Sequence, residues 1–429
     1  VTAILIGSAV LALAGCHKSS SGASSTAGSN TVATAASNVA TATVSAGPGP
    51  TANINTLYTS VKICAPGSTT NCQTIDDIEV DTGASGLRVL ASVLAPALAA
   101  ALPLQVDGNG SNIVECTQYA DGFAWGPVVT ADMTISGESA VSLPMQIIGS
   151  AQFPTPPASC AGTGPLEDTV ASYGANGSIG LSVFAQDCGS DCALTTDASI
   201  NPGFYYACSS PTSCTVTTVP LTSTSGPRQV LNPVTLFATD NNGVIIELPD
   251  VASTGAGSTA GALVFGIDTE SNNPSDLTST VLTVDPVGGY VSTSLNGYAY
   301  PQSFFDTGSN GLYFDNSITI AGTAVEPSLT QCTGTELTSF YCPSSTLSLS
   351  AQVLSTSGVT ISVAFSVASA ESVVSGAGSL VAFNDLAGSF SGSATGTFDW
   401  GLPFYFGRNV YTVIEGKVTT VAIGPYVAF

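Results

Sequence analysis

The stretch Ile78–Leu90, IEVDTGASGLRVL, sets one acidic side chain, Asp81, between a β-prone apolar run and a Thr-Gly turn. The chain repeats the device in Ser303–Phe314, SFFDTGSNGLYF. Each copy is entered through bulky apolar residues and left through Gly-Leu. A single such tripeptide is often no more than a turn. Two copies, 225 residues apart in a chain of 429, point to a duplicated architecture with one copy per lobe. Two lobes also suit the length, because single cores rarely grow beyond roughly 250–300 residues.

Gly83 and Gly308 permit tight turns that aim backbone amides at the two carboxylates, and the hydroxyls of Thr82 and Thr307 reach toward the opposite loop. If the two turns meet, Asp81 and Asp306 lie a hydrogen bond apart. Like charges that close share a proton. One member then serves as base on a water and the other as acid toward a carbonyl.

Composition narrows the alternatives. There are 6 Lys and Arg against 29 Asp and Glu, a formal net charge of −23, so a polymer of phosphates is repelled and no nucleic-acid partner is expected. The acidity itself reads as solubility of a Gly/Ser/Thr-rich surface. The single histidine, His17, lies beside the N-terminal apolar run. The folded part therefore cannot build a Ser-His-Asp triad, a Cys-His pair or a multi-histidine metal site. No metal and no cofactor are expected; the chemistry falls to carboxylates, hydroxyls, a few cations and thiols.

Val1–Ala14, VTAILIGSAVLALA, is too short to span a bilayer and reads as the apolar region of an export signal. No initiating Met and no basic segment precede it, which reads as a chain cut at its front. It ends in LAGC, which resembles the bacterial lipobox, with Cys16 as the lipidated residue and the membrane as the partner it reaches. Residues 1–16 are thus a signal and lipobox segment. Residues 17–50, rich in Ser, Ala, Thr and Gly, read as a flexible tether. The expected location is extracytoplasmic, anchored by lipid to the bacterial envelope at the outer membrane.

Eleven cysteines less Cys16 leave ten, an even set in an exported chain. Spacing makes Cys64 with Cys72, Cys188 with Cys192, Cys208 with Cys214, and Cys332 with Cys342 short loops, and leaves Cys116 with Cys160 as a longer pair. Sequence alone does not prove that connectivity.

After Thr51 the texture becomes short apolar alternations broken by Gly, Pro, Asn and Ser, as in VVTADMTISG, VSLPMQIIG, GVIIELP and VTISVAFSV. This predicts an all-β chain with hairpins, an N-terminal lobe over 51–250 and a C-terminal lobe over 251–429. Val89–Leu102, VLASVLAPALAAAL, suits a short helix broken near Pro96.

The two motifs and the order of the segments around them resemble the pepsin-like aspartic peptidases, in a bacterial lipoprotein-type variant, over about residues 56–429. The resemblance implies a bilobal double-β-barrel with few short helices, acting as a monomer on a protein or peptide substrate without a cofactor. QYADGFAWGPVVTADMTISG resembles the flap hairpin, with Tyr119 as the flap tyrosine and Asp121, Gly122 and Phe123 facing substrate. NGSIGLSVF and DWGLPFYFGRNVYTV resemble the segments that complete the two active-site loops, at Gly180 and Gly401. LVFGIDTESN resembles a strand that precedes the second aspartate. The implied catalytic pair is Asp81 and Asp306, supported by Thr82, Gly83, Thr307, Gly308 and Ser309.

Three positions depart from the pattern. Ala84 replaces the usual serine after the first motif, while Ser309 is kept in the second, so Asp81 lacks a hydroxyl donor and should hold its proton more tightly. Arg88 stands where the family commonly has the tryptophan that bonds the flap tyrosine; it would stack on Tyr119 or Trp125, or lie in solvent. The only basic side chains between Cys16 and Thr51 are His17 and Lys18, so a basic plug for an acidic cleft is absent. Leu87, Phe123, Trp125 and Leu312 are candidates for apolar subsites or for ordinary core. Two further readings stand beside the peptidase: an idle pepsin-fold module binding peptide or polysaccharide at the envelope, and a structural β-protein whose two motifs are unrelated turns, which requires Asp81 and Asp306 to lie far apart.

Overall fold

The computed structural model describes residues 23–25, 32–162, 164–221, 229–275, 279–315, 319–320, 323–324, 329–333, 337–375, 378–390 and 396–429. The signal segment, Cys16 and the first part of the expected tether lie outside them. The chain is all-β and bilobal, with four short helices among the described residues. Two large sheets carry it, one of 15 strands and one of 8.

In the larger sheet the N-terminal lobe contributes Leu57–Cys64, Cys72–Asp81, Ser85–Leu90, Asn112–Gln118, Phe123–Ile135, Glu138–Ile148 and Gly177–Leu181. The sheet then continues through Val39–Val44 into Thr259–Phe265, Gly243–Leu248 and Arg408–Val413. The smaller sheet belongs to the C-terminal lobe and includes Leu347–Leu354, Thr360–Val367, Tyr298–Phe305, Thr397–Trp400 and Leu312–Phe314.

Two expectations about domain limits need correcting. Val39–Val44, read as tether, is an interior strand that pairs antiparallel with Thr259–Phe265 on one side and with Leu57–Cys64 on the other. Its small residues alternate, and Ala42 and Val44 are fully buried. Ala and Thr look like linker in composition, but a position between two longer strands satisfies their backbone and covers their side chains. Likewise Gly243–Leu248, assigned to the first lobe, pairs with Thr259–Phe265 and Arg408–Val413, so it belongs to the sheet that joins the lobes.

A chain starting at Thr51 therefore loses an interior strand. The expected loss is on the order of 5 kcal/mol or more, comparable to the net stability of a domain. Circular dichroism melts should show a chain starting at residue 32 unfolding with the full chain, and one starting at Thr51 without a cooperative transition.

Pro96 does not break a helix but begins one. Ser85–Leu90 is strand, Ala91–Val93 is a 3-10 turn, and Pro96–Ala99 is helix with the proline in its first turn, where a missing N–H costs nothing.

Both lobes build the same local topology around their Asp-Thr-Gly loops. Cys72–Asp81 enters the first loop and Ser85–Leu90 leaves it; Gly177–Leu181 lies between them, parallel to the first and antiparallel to the second. In the other lobe Tyr298–Phe305 enters, Leu312–Phe314 leaves, and Thr397–Trp400 lies between with the same two senses. An added Cβ on Gly180 would lie 2.6 Å from the Ser85 carbonyl carbon, and one on Gly401 would lie 2.1 Å from the Gly311 oxygen. Each glycine thus lets the inserted strand close on its loop.

Five disulfides are present: Cys64–Cys72, Cys116–Cys160, Cys188–Cys192, Cys208–Cys214 and Cys332–Cys342. They fit an oxidising, extracytoplasmic compartment. No helix among the described residues is long and apolar enough to cross a membrane.

Candidate active site

The two loops meet at their tips. The Thr82 amide donates to Thr307 Oγ1 at 3.1 Å, and the Thr307 amide donates to Thr82 Oγ1 at 3.0 Å. Each hydroxyl then donates to a carbonyl of the opposite lobe, Thr82 to Phe305 at 3.2 Å and Thr307 to Val80 at 2.6 Å. Both threonines are buried, so these four bonds form in a dry junction. Tyr405, fully buried, adds a hydroxyl contact of 3.0 Å to Thr82.

This junction brings Asp81 and Asp306 together. Asp81 Oδ1 accepts from the amides of Gly83 at 2.8 Å and Ala84 at 2.9 Å. Asp306 Oδ1 accepts from the Gly308 amide at 2.7 Å and, across the lobes, from Gly83 at 3.1 Å. A Cβ on Gly83 would stand 2.6 Å from Asp306 Cγ, and one on Gly308 would stand 3.0 Å from Asp81 Cγ. The glycines are therefore required by the close approach of the opposite carboxyl. The reading of the two motifs as unrelated turns, which needs the aspartates far apart, is removed.

The pair is not symmetric. Ser309 Oγ donates to Asp306 Oδ2 at 3.0 Å, whereas Ala84 offers Asp81 its amide alone. Burial, then the charge of Asp306 and a hydrogen bond with it, push Asp81 up to about 8 against the pull of the Gly83 and Ala84 amides. Chemically, such a pair holds one proton between two oxygens and can pass it to a carbonyl while its ionised member accepts one from water.

Two more carboxyls border the pair. Glu79 lies two residues before Asp81 on the same strand, hence on the same face. Burial, then Asp81 and Asp306, hold it well above the usual carboxylate range. Asp399 is buried in the inserted strand of the C-terminal lobe and is raised by burial and then by Asp306. Sequence reasoning passed over both, although the alternation in IEVD places Glu79 beside Asp81.

The hairpin of Asn112–Gln118 and Phe123–Ile135 turns at residues 119–122, closed by the Tyr119 amide on the Gly122 carbonyl at 2.8 Å. Tyr119 Oη lies 3.0 Å from Tyr173 Oη, and Tyr173 donates to Ser178 Oγ at 2.8 Å. Ser178 sits opposite Glu79 in the strand that pairs with Cys72–Asp81, so this relay ties the hairpin tip to the strand beside the one that ends in Asp81. Tyr173 went unnoticed in the sequence. Asp121 is exposed at the tip. Gly122 is buried, and a Cβ there would stand 2.3 Å from Glu167 Oε1.

Several sequence expectations fail here. Phe123 does not face substrate: it is 3% exposed and packs with Cys116, Trp125, Phe153 and Cys160. Trp125, Leu87 and Leu312, for which subsite and core were both open, are core. The strands around Phe123, Trp125 and Leu87 are buried on both faces, and their neighbours are largely Gly and Ala, so these side chains are enclosed on every side. Arg88 neither stacks on Tyr119 or Trp125 nor lies in solvent. It is 1% exposed, pairs with Glu115 at 2.5 Å and Asp187 at 3.3 Å, and donates to Thr117 Oγ1 at 2.9 Å and the Ser85 carbonyl at 2.8 Å.

The fold and the paired loops define a bilobal β-protein with a two-carboxyl centre. The chain belongs to the family described as Protein of unknown function (DUF3443), whose model matches residues 34–429. A comparison with curated proteins finds no match. Among solved structures the chain is similar to an aspartic proteinase from Irpex lacteus, at 13% identity and a TM-score of 0.42, over 91% of this chain and 96% of that one.

Proposed function

We propose that the protein is an aspartic endopeptidase that hydrolyses peptide bonds with a water activated between Asp81 and Asp306. The observation that carries this reading is the mutual contact of the two carboxyls, held by four cross-lobe threonine bonds and flanked by amides from both loops. A binding module has no chemical need for two half-buried carboxyls set this close, whose charges repel. In the reaction Asp306, the better supplied with donors, is the ionised member and takes a proton from the water. Asp81, the proton-holding member, donates to the carbonyl oxygen as the tetrahedral centre forms. Collapse returns a proton to the leaving amine and restores the shared-proton state. Signal and lipobox readings of residues 1–16 support a membrane tether through Cys16, with the folded part outside the cytoplasm.

The test is incubation of the full chain, disulfides formed, with a mixed peptide library from pH 3 to 9. Cleavage blocked by a statine-type inhibitor supports the reading. Absence of cleavage across that range by folded protein moves it to the idle binding module.

The pH profile carries its own prediction. With Asp81 near 8, activity should persist through neutral pH and fall as the last shared proton leaves. Ala84→Ser adds a hydroxyl donor to the charged form of Asp81, so the alkaline limb of kcat/KM should move toward acid by about one unit. A limb that stays in place would show that this hydroxyl does not reach Asp81.

A further inference from the structure

Away from the paired aspartates, a pocket of about 240 Å³ opens between the C-terminal sheet and the end of the joining sheet. Leu349, Ala364 and Phe365 form its half-buried rim, Trp400 and Phe406 its floor, and Arg408 one wall. The volume is below the roughly 300–1,000 Å³ of pockets for drug-sized ligands, so it suits one short chain or ring.

Arg408 is an unusual lining residue. It is 8% exposed, its Nη1 donates to the Phe404 carbonyl, and its guanidinium carbon lies 4.5 Å from the centre of the Phe404 ring. Nε is buried with no hydrogen-bond partner. Among the described residues no carboxylate lies within ion-pair distance of it; the ion pairs found there are those of Arg88. Burial pulls Arg408 down to about 10, and the more distant Asp250 acts the other way. A buried cation with an idle donor is costly unless an anion meets it. A planar guanidinium carries Nε and Nη2 along one edge, the fork that receives a carboxylate side-on.

We propose that this pocket binds a medium-chain fatty carboxylate, its headgroup on Arg408 and its chain against Leu349, Phe365, Trp400 and Phe406. The net charge of −23 repels anions in general, so capture of one requires a local cation such as this. The proposal does not depend on peptidase activity.

Titration calorimetry of the full chain with decanoate near pH 7.5 tests it. Decanoate should bind, with decanol and decyltrimethylammonium at least tenfold weaker. Arg408→Met should weaken decanoate at least tenfold. If that variant does not fold, Ala364→Phe fills the rim while keeping Arg408 and should weaken decanoate similarly. Decanol binding as tightly as decanoate, no decanoate binding at millimolar concentration, or wild-type binding by Ala364→Phe would each overturn the assignment. So would a peptide with a free C-terminal leucine that outcompetes decanoate, since the pocket would then be a peptide-terminus site.

Discussion

Asp81→Asn and Asp306→Asn should each lower kcat/KM for peptide cleavage by at least about 10³-fold, because each removes one half of a shared-proton pair and general acid–base catalysis alone contributes about 10²–10⁴. The two losses should not add: a pair that works as a unit is disabled by either change, and the double variant should resemble each single one. Stability should move in the opposite sense. Asp81 has a folded pKa near 8, above its ordinary value of 3.8, so the folded state binds the extra proton. Its contribution to stability is complete below about pH 4 and is lost as pH rises through about 8. An asparagine neither takes up nor releases a proton, so the Asp81→Asn melting temperature should fall less steeply between pH 4 and 8 than that of the parent. Cleavage retained by either single variant would remove the pair from the chemistry. A parallel pH dependence of the two melting curves would mean that Asp81 is ionised across the range.

The second large effect is on stability. Arg88→Met should cost about 3–5 kcal/mol in denaturant unfolding, the usual penalty for stripping a buried ion pair of one partner. Glu115 is fully buried and one of its oxygens already lacks a partner, while Asp187 also receives the Tyr205 hydroxyl at 2.6 Å. Removing the guanidinium leaves both acids facing each other in a dry space. Neutralising them together, in Arg88→Met with Glu115→Gln and Asp187→Asn, should recover part of the loss, because a polar or apolar replacement of a whole buried cluster is often close to neutral. A loss below about 1 kcal/mol for the single variant would place Arg88 in solvent after all. The effect should reach the site as well. Arg88 pairs in register with Ser178, the residue that anchors Tyr173 and through it Tyr119. A raised KM with a smaller change in kcat is expected for the fraction that remains folded.

The balance between local and distant information is clear in particular residues. The duplicated Asp-Thr-Gly and the β texture were enough to expect a two-lobed all-β chain, since side-chain period and turn chemistry are local properties. Cys64–Cys72, Cys188–Cys192, Cys208–Cys214 and Cys332–Cys342 close short loops, so their partners are legible in spacing. The inward turn of Phe123 is not legible locally, because a strand's alternation does not say which face is buried until the neighbouring segment is known; here Cys160 and Leu166 pack in the same cluster, and the Phe123 amide bonds the Pro165 carbonyl. Val39–Val44 was misplaced for the complementary reason. Its small side chains carry little hydrophobic signal, and its strand character comes from two partners far along the chain.

By itself, the sequence determined the class of structure, the two loops that carry acid, and the exclusion of histidine-based chemistry from the folded part, because these follow from residue identity and short-range pattern. Only the tertiary structure decided that Asp81 and Asp306 touch, that Asp399 borders them, that Tyr405 and Tyr173 supply hydroxyls, and that Arg88 and Arg408 are buried cations, the first ion-paired and the second without an ion pair among the described residues. Each of those facts is a meeting of residues from separate strands. The burial of a charge, and so its proton affinity, is set by what packs around it and not by its neighbours in the chain.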